Sequence, residues 1–480
     1  MGLSFTSPEF LIFLVVCLAL MSRMRGVSAQ SWLLIIVSCL FYLSFGVAGV
    51  IVLALTAFAD FQVGRRLAVA PTPEARKRLL LIGIAVNIGP LALFKYSGFL
   101  ADSLASLLHP FGVRVWVSVD PLLGIVGLSY FSFSGMSYIL DIYYEIIEPT
   151  QSISQFVCYL LYFPKLVAGP IVRAGELLPQ FNRGARFTAD DFETGCAYLL
   201  VGAVKKLLIA DRLAGHVGMI LAAPQHYNAL TLVQGMIGYT IEIYADFSGY
   251  SDMAIGCARL MGIRFPQNFL MPYSSINIAE FWRRWHVTMS RWFRDYLFLP
   301  LEIGSRRTRN ANVRVARNMI ITMLVCGLWH GASWNFVVWG GLHGIALSAY
   351  LIYATNRRRQ SRGQTQSAFH PATLAARALT LSTVMVGWII FGTASLTVAF
   401  QYLLRLFTWA TDGVSLGSPY ILPLAALVFV VHFVIAKDRN VIEELPTLSV
   451  RARVFAYASL MLALTALVQT EAVPFVYVHF

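Results

Sequence analysis

Two histidines stand in surroundings that give a side chain of that kind little reason to be there. His330 lies in Gly-Leu-Trp-His-Gly-Ala-Ser-Trp-Asn (327–335), inside an apolar run from Met319 to about Ala354 that contains no Asp, Glu, Lys or Arg. His286 closes Phe-Trp-Arg-Arg-Trp-His (281–286), beside basic residues. An imidazole at membrane depth needs hydrogen-bond partners and is by default a functional candidate. In a dry site a neutral imidazole serves as a general base near neutral pH. That suits deprotonation of a hydroxyl that attacks an activated acyl group. The plainer alternative is a packing histidine with satisfied bonds. Small residues and tryptophans crowded around His330 weigh against it, as does the amphipathic setting of His286. His343, in the same apolar run, is a weaker candidate that could equally bond across helices.

Three further constellations carry polar groups in apolar stretches. Tyr244-Ala-Asp-Phe-Ser-Gly-Tyr-Ser-Asp252 offers Asp246 and Asp252 to a cation or a histidine; alternatively it is a polar break between two spans, its Ser and Asp capping the next helix. Tyr162-Phe-Pro-Lys-Leu-Val-Ala-Gly-Pro-Ile-Val-Arg173 has two prolines and a glycine, the mark of a broken or re-entrant helix. Such backbone is tolerated only where protein or a cavity surrounds it. Lys165 and Arg173 could there meet an anionic donor, or snorkel to the interface. Lys205, Lys206, Asp211 and Arg212 form a fourth cluster, with Lys206 or Asp211 expected to be paired.

The elements that must position these residues follow from composition. Of the 480 residues 58% are hydrophobic, mean hydropathy is +0.66, and only 13% are charged, against about 25% in soluble domains. No soluble core buries so much apolar side chain. The chain reads as an all-α polytopic integral membrane protein, since its long apolar runs do not alternate with period two. The runs fall at about 9–21, 31–45, 47–63, 79–96, 120–140, 153–171, 194–222, 229–247, 318–354, 374–393, 418–436 and 453–468, which suggests about ten to twelve crossings. The net charge of +13 reads as cationic loops that set topology, not as a nucleic-acid partner. Six cysteines without a CxxC pair indicate neither zinc nor a disulfide framework, and no metal site is expected. Arg23 and Arg25 follow the first run and no basic region precedes it. That points to a retained first span with its N-terminus outside, not a cleaved signal peptide.

Basic residues orient the spans. Arg23 and Arg25; Arg65, Arg66, Arg76, Lys77 and Arg78; Arg306, Arg307, Arg309, Arg314 and Arg317; Arg357, Arg358, Arg359 and Arg362; and Lys437 and Arg439 mark five cytoplasmic loops. The run 318–354 then starts and ends in the cytoplasm, and is long enough for two helices at about 1.5 Å per residue. It is a hairpin with its turn near the middle and His330 part-way up the first arm. Residues 276–299 hold four arginines and three tryptophans. Trp282, His286, Met289 and Phe293 share one helical face and Arg284, Arg291 and Asp295 another, as in an amphipathic helix at the cytoplasmic interface or lining an inner vestibule. The whole chain, 1–480, reads as one multi-pass membrane domain without an internal repeat, and residues 244–344 form its central motif block.

At these motifs the sequence resembles the membrane-bound O-acyltransferase (MBOAT) family, and within it the AlgI-like branch of bacterial alginate O-acetyltransferases. The matching stretches are 162–171, 244–256, Phe-Pro-Gln-Asn-Phe (265–269), 281–286, Trp-Phe-Arg-Asp-Tyr-Leu (292–297) and Leu-Trp-His-Gly-Ala-Ser-Trp (328–334), with weaker matches at Phe94-Lys-Tyr96 and 137–141. The resemblance implies a helical fold around a central tunnel or opposed funnels. It implies acyl transfer from a cytoplasmic thioester, acetyl-CoA or an acylated carrier protein, to an acceptor on the far side, with no bound cofactor. His330 matches the family's catalytic histidine and His286 a second histidine common in this branch. Trp282, Arg283, Arg284, Trp285, Trp329, Trp334, Asn335, Tyr244 and Asp246 are the expected substrate contacts, with Arg283 and Arg284 attracting donor phosphates. The resemblance further implies O-acetylation of an exported polysaccharide such as alginate, a periplasmic acetyltransferase or acyl-relay protein as partner, and the bacterial inner membrane as location. Teichoic-acid D-alanyl transfer proteins share both histidine motifs. Other readings of the residues are acyl transfer to a lipid or protein, a transporter or channel with His330 as proton relay, and a non-catalytic scaffold.

Overall fold

The computed structural model describes residues 2–111, 125–184, 188–305, 310–358, 371–434 and 440–467. The expected basic-loop residues Arg306, Arg307, Arg309, Arg359, Arg362, Lys437 and Arg439 lie outside them, as do the starts of the 120–140 run and the end of the 453–468 run. Among the described residues the architecture is helical, with one isolated backbone bridge between Tyr227 and Val414. In hydrocarbon each backbone amide must find its partner within the segment, and helices satisfy that requirement locally.

Among the described residues six helices are long and apolar enough to cross a membrane: Val47–Ala68, Pro73–Phe111, Ala311–His330, Trp334–Thr355, Pro371–Gly392 and Val450–Leu467. That is fewer than the number of apolar runs. Val27–Leu43, Leu396–Phe407 and Ile421–Phe433 are apolar but shorter, and the 153–171 and 194–222 runs are interrupted by a break and a π-helical segment.

The chain divides into two compact units, Met1–Leu199 with Tyr250–Pro266, and Leu200–Gly249 with Gln267–Phe480. In the first, Leu128–Tyr143 is buried on every face from Leu128 to Ile142 and packs against Val47–Ala68 and Pro73–Leu91. Gly135 makes this approach possible: a Cβ there would come 2.2 Å from Asp60 Oδ2 and 2.4 Å from Asn87 Oδ1. Asn87 Nδ2 donates to Asp60 Oδ1 at 2.8 Å, so the buried carboxyl has an amide partner. The expected break at 162–173 is present. Helix Ile153–Leu161 ends at Tyr162, a single turn spans Phe163–Leu166, and the chain then leaves helical structure until Ala174. Lys165 does not snorkel. It is 3% exposed, donates to Ser134 Oγ at 3.2 Å and sits 4.0 Å from the centre of the Tyr159 ring.

The second unit contains the hairpin, with its turn at residues 331–333, in the middle of the run as expected. The first arm, Ala311–His330, begins within the basic stretch, where Asn310 Oδ1 accepts from Asn312 N and Val313 N. Its 20 residues cover about 30 Å and are used up at His330, which is the last residue of the arm and not part-way along it. Gly331 turns to extended backbone and Trp334–Arg358 runs back. The arms meet backbone to backbone. A Cβ on Gly327 would lie 2.1 Å from Phe336 O, and one on Gly340 2.2 Å from Met323 O, the small-residue contact by which membrane helices approach closely.

Two other expectations are corrected. Residues 244–252 do not form a break, because Ala229–Leu260 is one continuous helix of 32 residues; Asp246 and Asp252 therefore cap nothing. Residues 276–299 are not one amphipathic helix. They form Ile278–Arg284, Val287–Phe293, and a π-helical turn Arg294–Phe298. The face proposed for Trp282, His286, Met289 and Phe293 is cut between Arg284 and Val287. Most of its side chains are buried, Trp282, Arg284, Trp285 and His286 included.

Candidate active site

His286 owes its position to that cut. The first short helix starts at an asparagine cap: Asn277 Oδ1 accepts from Glu280 N at 2.8 Å, and Glu280 Oε2 accepts from Ile276 N, one residue before the cap, at 2.9 Å. It stops at Trp285–His286 because the backbone there pairs with the 268–270 segment. Leu270 N donates to Arg284 O, and Val287 N to Asn268 O, both at 2.9 Å. His286 takes the left-handed conformation, φ +42° and ψ +57°, which costs a residue with a Cβ roughly 1–2 kcal/mol. His286 is fully buried, its Nδ1 3.0 Å from Asn268 Oδ1 and its ring edge-on to Phe247 at 4.8 Å.

His330 is 3% exposed and enclosed by rings. The centroids of Trp329, Trp339 and Phe391 lie 4.8, 5.0 and 5.3 Å from its own, all at steep interplanar angles. Trp329 also meets His286, at 5.9 Å. The two imidazole centroids are therefore no farther apart than the sum of the 5.9 and 4.8 Å steps across one indole. The series continues, since Trp339 meets His343 at 4.9 Å and His343 meets Trp282 at 5.2 Å. Three imidazoles thus alternate with two indoles, in the order His286, Trp329, His330, Trp339, His343. Among the described residues neither nitrogen of His343 has a hydrogen-bond partner, so the expected bond across helices is not made. A Cβ on Gly387 would come 2.8 Å from His343 Nε2.

The other expected contacts separate into two groups. Trp282, Trp285 and Trp329 are buried in this aromatic cluster; Trp285 stacks on Phe281 at 5.6 Å and meets Trp388 at 4.7 Å. Tyr244 lies on the edge of the cluster, 4.7 Å from His432 and 6.4 Å from Trp285. Arg283, in contrast, is exposed, and Arg284 is buried with its charge held by Glu280 Oε1 at 3.1 Å and its Nη1 donating to Leu270 O. Of the two guanidiniums expected to attract donor phosphates, that of Arg284 is thus already neutralised. Trp334 is 55% exposed. Asn335 ties the start of the second arm to the end of Pro371–Gly392 through Ile390 O and Thr393 O, at 3.1 and 2.9 Å. Asp246 grips a lysine: Lys206 Nζ lies 2.7 Å from Asp246 Oδ1 and 2.8 Å from Asp211 Oδ1, all three buried. This bears out the expectation that Lys206 or Asp211 is paired, and adds in Asp246 a partner that the sequence did not suggest.

Asn268, Trp339 and Trp388 were not picked out from the sequence. Asn268 lies in the 265–269 motif, which was the available signal; the two tryptophans carried none beyond their type. Among the described residues no three His, Cys, Asp or Glu side chains gather as a metal site.

Comparison with known proteins places this arrangement. Residues 144–397 match the MBOAT, membrane-bound O-acyltransferase family. The chain belongs to this family. It is 36% identical over 409 residues to the Probable alginate O-acetylase AlgI of Pseudomonas aeruginosa, covering 85% of this chain and 75% of that protein. It is 32% identical over 361 residues to the Peptidoglycan O-acetyltransferase of Helicobacter pylori, covering 69% of this chain and 65% of that protein. With the Teichoic acid D-alanyltransferase of Bacillus subtilis it shares 27% over 266 residues, 52% of this chain and 67% of that protein. This MBOAT protein is a multi-pass membrane O-acyltransferase.

Proposed function

We propose that the protein moves an acetyl group from a cytoplasmic thioester, acetyl-CoA or an acylated carrier protein, toward O-acetylation of an exported polysaccharide of the alginate type, with His330 as the base. The observation that carries this reading is the burial of His330 at the end of the first hairpin arm, walled by Trp329, Trp339 and Phe391 and linked through Trp329 to His286. The arm starts in the basic stretch ending at Arg317. On the positive-inside rule that stretch is cytoplasmic, which puts His330 toward the acceptor side of an inner membrane. An exported acceptor, or a periplasmic relay protein that passes the acetyl group on, fits that position.

In the step so derived, the acceptor oxygen adds to the thioester carbonyl carbon while its proton passes to the His330 imidazole. The C–S bond then breaks, and the departing sulfur takes that proton, leaving an ester and a free thiol. The donor is already activated, so the protein's work is to align the two reactants, carry the proton and exclude water. Rings on several sides of His330 serve the last of these. The relatives named for alginate, at 36–37% identity over more than four fifths of this chain, favour a polysaccharide acceptor over a teichoic acid. The test is labelled acetyl-CoA with purified protein in liposomes and an alginate-type polysaccharide as acceptor. Labelled product is expected from the wild type and not from His330→Ala, and wild-type transfer by a folded, inserted His330→Ala protein overturns the assignment.

A further inference from the structure

Asn268 Oδ1 is surrounded by hydrogens. Thr288 N lies 3.3 Å from it, Thr288 Oγ1 2.9 Å, and His286 Nδ1 3.0 Å. A backbone N–H can only donate, so the amide atom that faces Thr288 N is the oxygen, and the amide is not reversed. An imidazole nitrogen that faces an acceptor oxygen must carry the hydrogen. The main chain supports the same geometry, since Asn268 O accepts from Val287 N, the residue after the strained His286.

We propose that Asn268 is a positioning residue that holds His286 as the tautomer with its hydrogen on Nδ1, leaving the lone pair on Nε2. The proposal rests on the reading of His286 as part of the transfer site and makes its role specific. An imidazole held this way accepts a hydrogen bond at Nε2. It receives hydrogen from a hydroxyl, and does not donate to negative charge developing on oxygen or sulfur until it has itself been protonated. Three accepted bonds offset the cost of the left-handed backbone, so one asparagine fixes both the direction and the polarity of the ring. Phe247, Phe269 and Trp329 pack around that ring and limit its rotation.

The test is nitrogen NMR on full-length protein in lipid with 15N-labelled histidine, the His286 signals being assigned by their loss in His286→Asn. At neutral pH the wild type is expected to show a protonated Nδ1 and a bare Nε2. Hydrogen on Nε2 with a bare Nδ1, or on both nitrogens, overturns the proposal; the tautomer is read on the wild type, and the variant serves only to assign the signals. In Asn268→Leu the preference is expected to be lost and the acetyl-transfer kcat to fall roughly 10²-fold, with KM for the thioester unchanged. Asn268→Asp, which accepts the same three hydrogens, is expected to restore the Nδ1–H signature. An unaltered tautomer and rate in Asn268→Leu also overturn the proposal. The expected tautomer combined with full transfer by His286→Asn removes the positioning role by removing His286 from the site, and so separates failure of the functional reading from failure of the tautomer assignment.

Discussion

Two breaks among buried residues, at 162–173 and at 285–286, are built differently. At 162–173 in the first unit, prolines and a glycine interrupt the helix and no non-glycine residue takes a positive φ. The polar residue left there, Lys165, rests on a hydroxyl and an aromatic face. At 285–286 in the second unit the sequence is Trp-His, with nothing that forbids a helix. The interruption is imposed by backbone pairing with 268–270 and leaves His286 strained. A break written into the local sequence is maintained cheaply by packing. A break held against local preference needs polar bonds from elsewhere, and strain kept in this way gathers at functional sites. The second break is therefore the one assigned chemistry.

Substitutions sharpen the contrast. The largest effect is expected from His286→Asn. Asparagine tolerates the left-handed region, so the fold should hold while acetyl transfer falls by about 10²–10⁴; thermal unfolding and labelled transfer, measured on one preparation, check both halves. Lys206→Met should cost roughly 3–5 kcal/mol, because it strands Asp211 and Asp246 as buried carboxylates. Denaturant unfolding in detergent reads this, and a loss well under 1 kcal/mol would mean that the triad is not the lock it resembles. His286→Val compared with His286→Asn isolates the strain: valine is expected to be less stable by about 1–2 kcal/mol, and equal stability would remove strain from the account. Lys165→Met should be the mildest, with a stability change of less than about 1.5 kcal/mol for a substitution of similar volume and transfer near the wild-type rate. A large drop in kcat for this variant would move chemistry to the first break and reverse the comparison.

The same contrast explains what the sequence disclosed. Prolines 164 and 170 announced the first break because they act locally. The second stayed hidden because the spacing of Trp282, His286, Met289 and Phe293 continues a helical face across a cut that depends on residues 268–270. The hairpin was legible from charge distribution and composition. The place of His330 at the very end of the first arm was not, since it depends on where Asn310 starts the arm. Lys206 could be paired with Asp211 from nearness in sequence, whereas Asp246 reaches the same ammonium from another helix. Trp334 and Asn335 share a motif with His330, yet the helix restarting there turns Trp334 outward and uses Asn335 as a tie. Proximity along the chain does not carry around a tight turn.

The alternation of imidazoles and indoles has an optical consequence. Indole emission is quenched by a nearby protonated imidazole, and Trp329 and Trp339 each lie about as close to His330 as rings can pack. Of the ten tryptophans, these two flank the proposed base on either side within the five-ring series. With the other eight replaced by phenylalanine, the fluorescence of the pair would follow protonation of the imidazoles in the series, and the part lost in His330→Ala would be the part due to His330. The protein thus carries its own reporter dye at the atom where the reaction is proposed to occur.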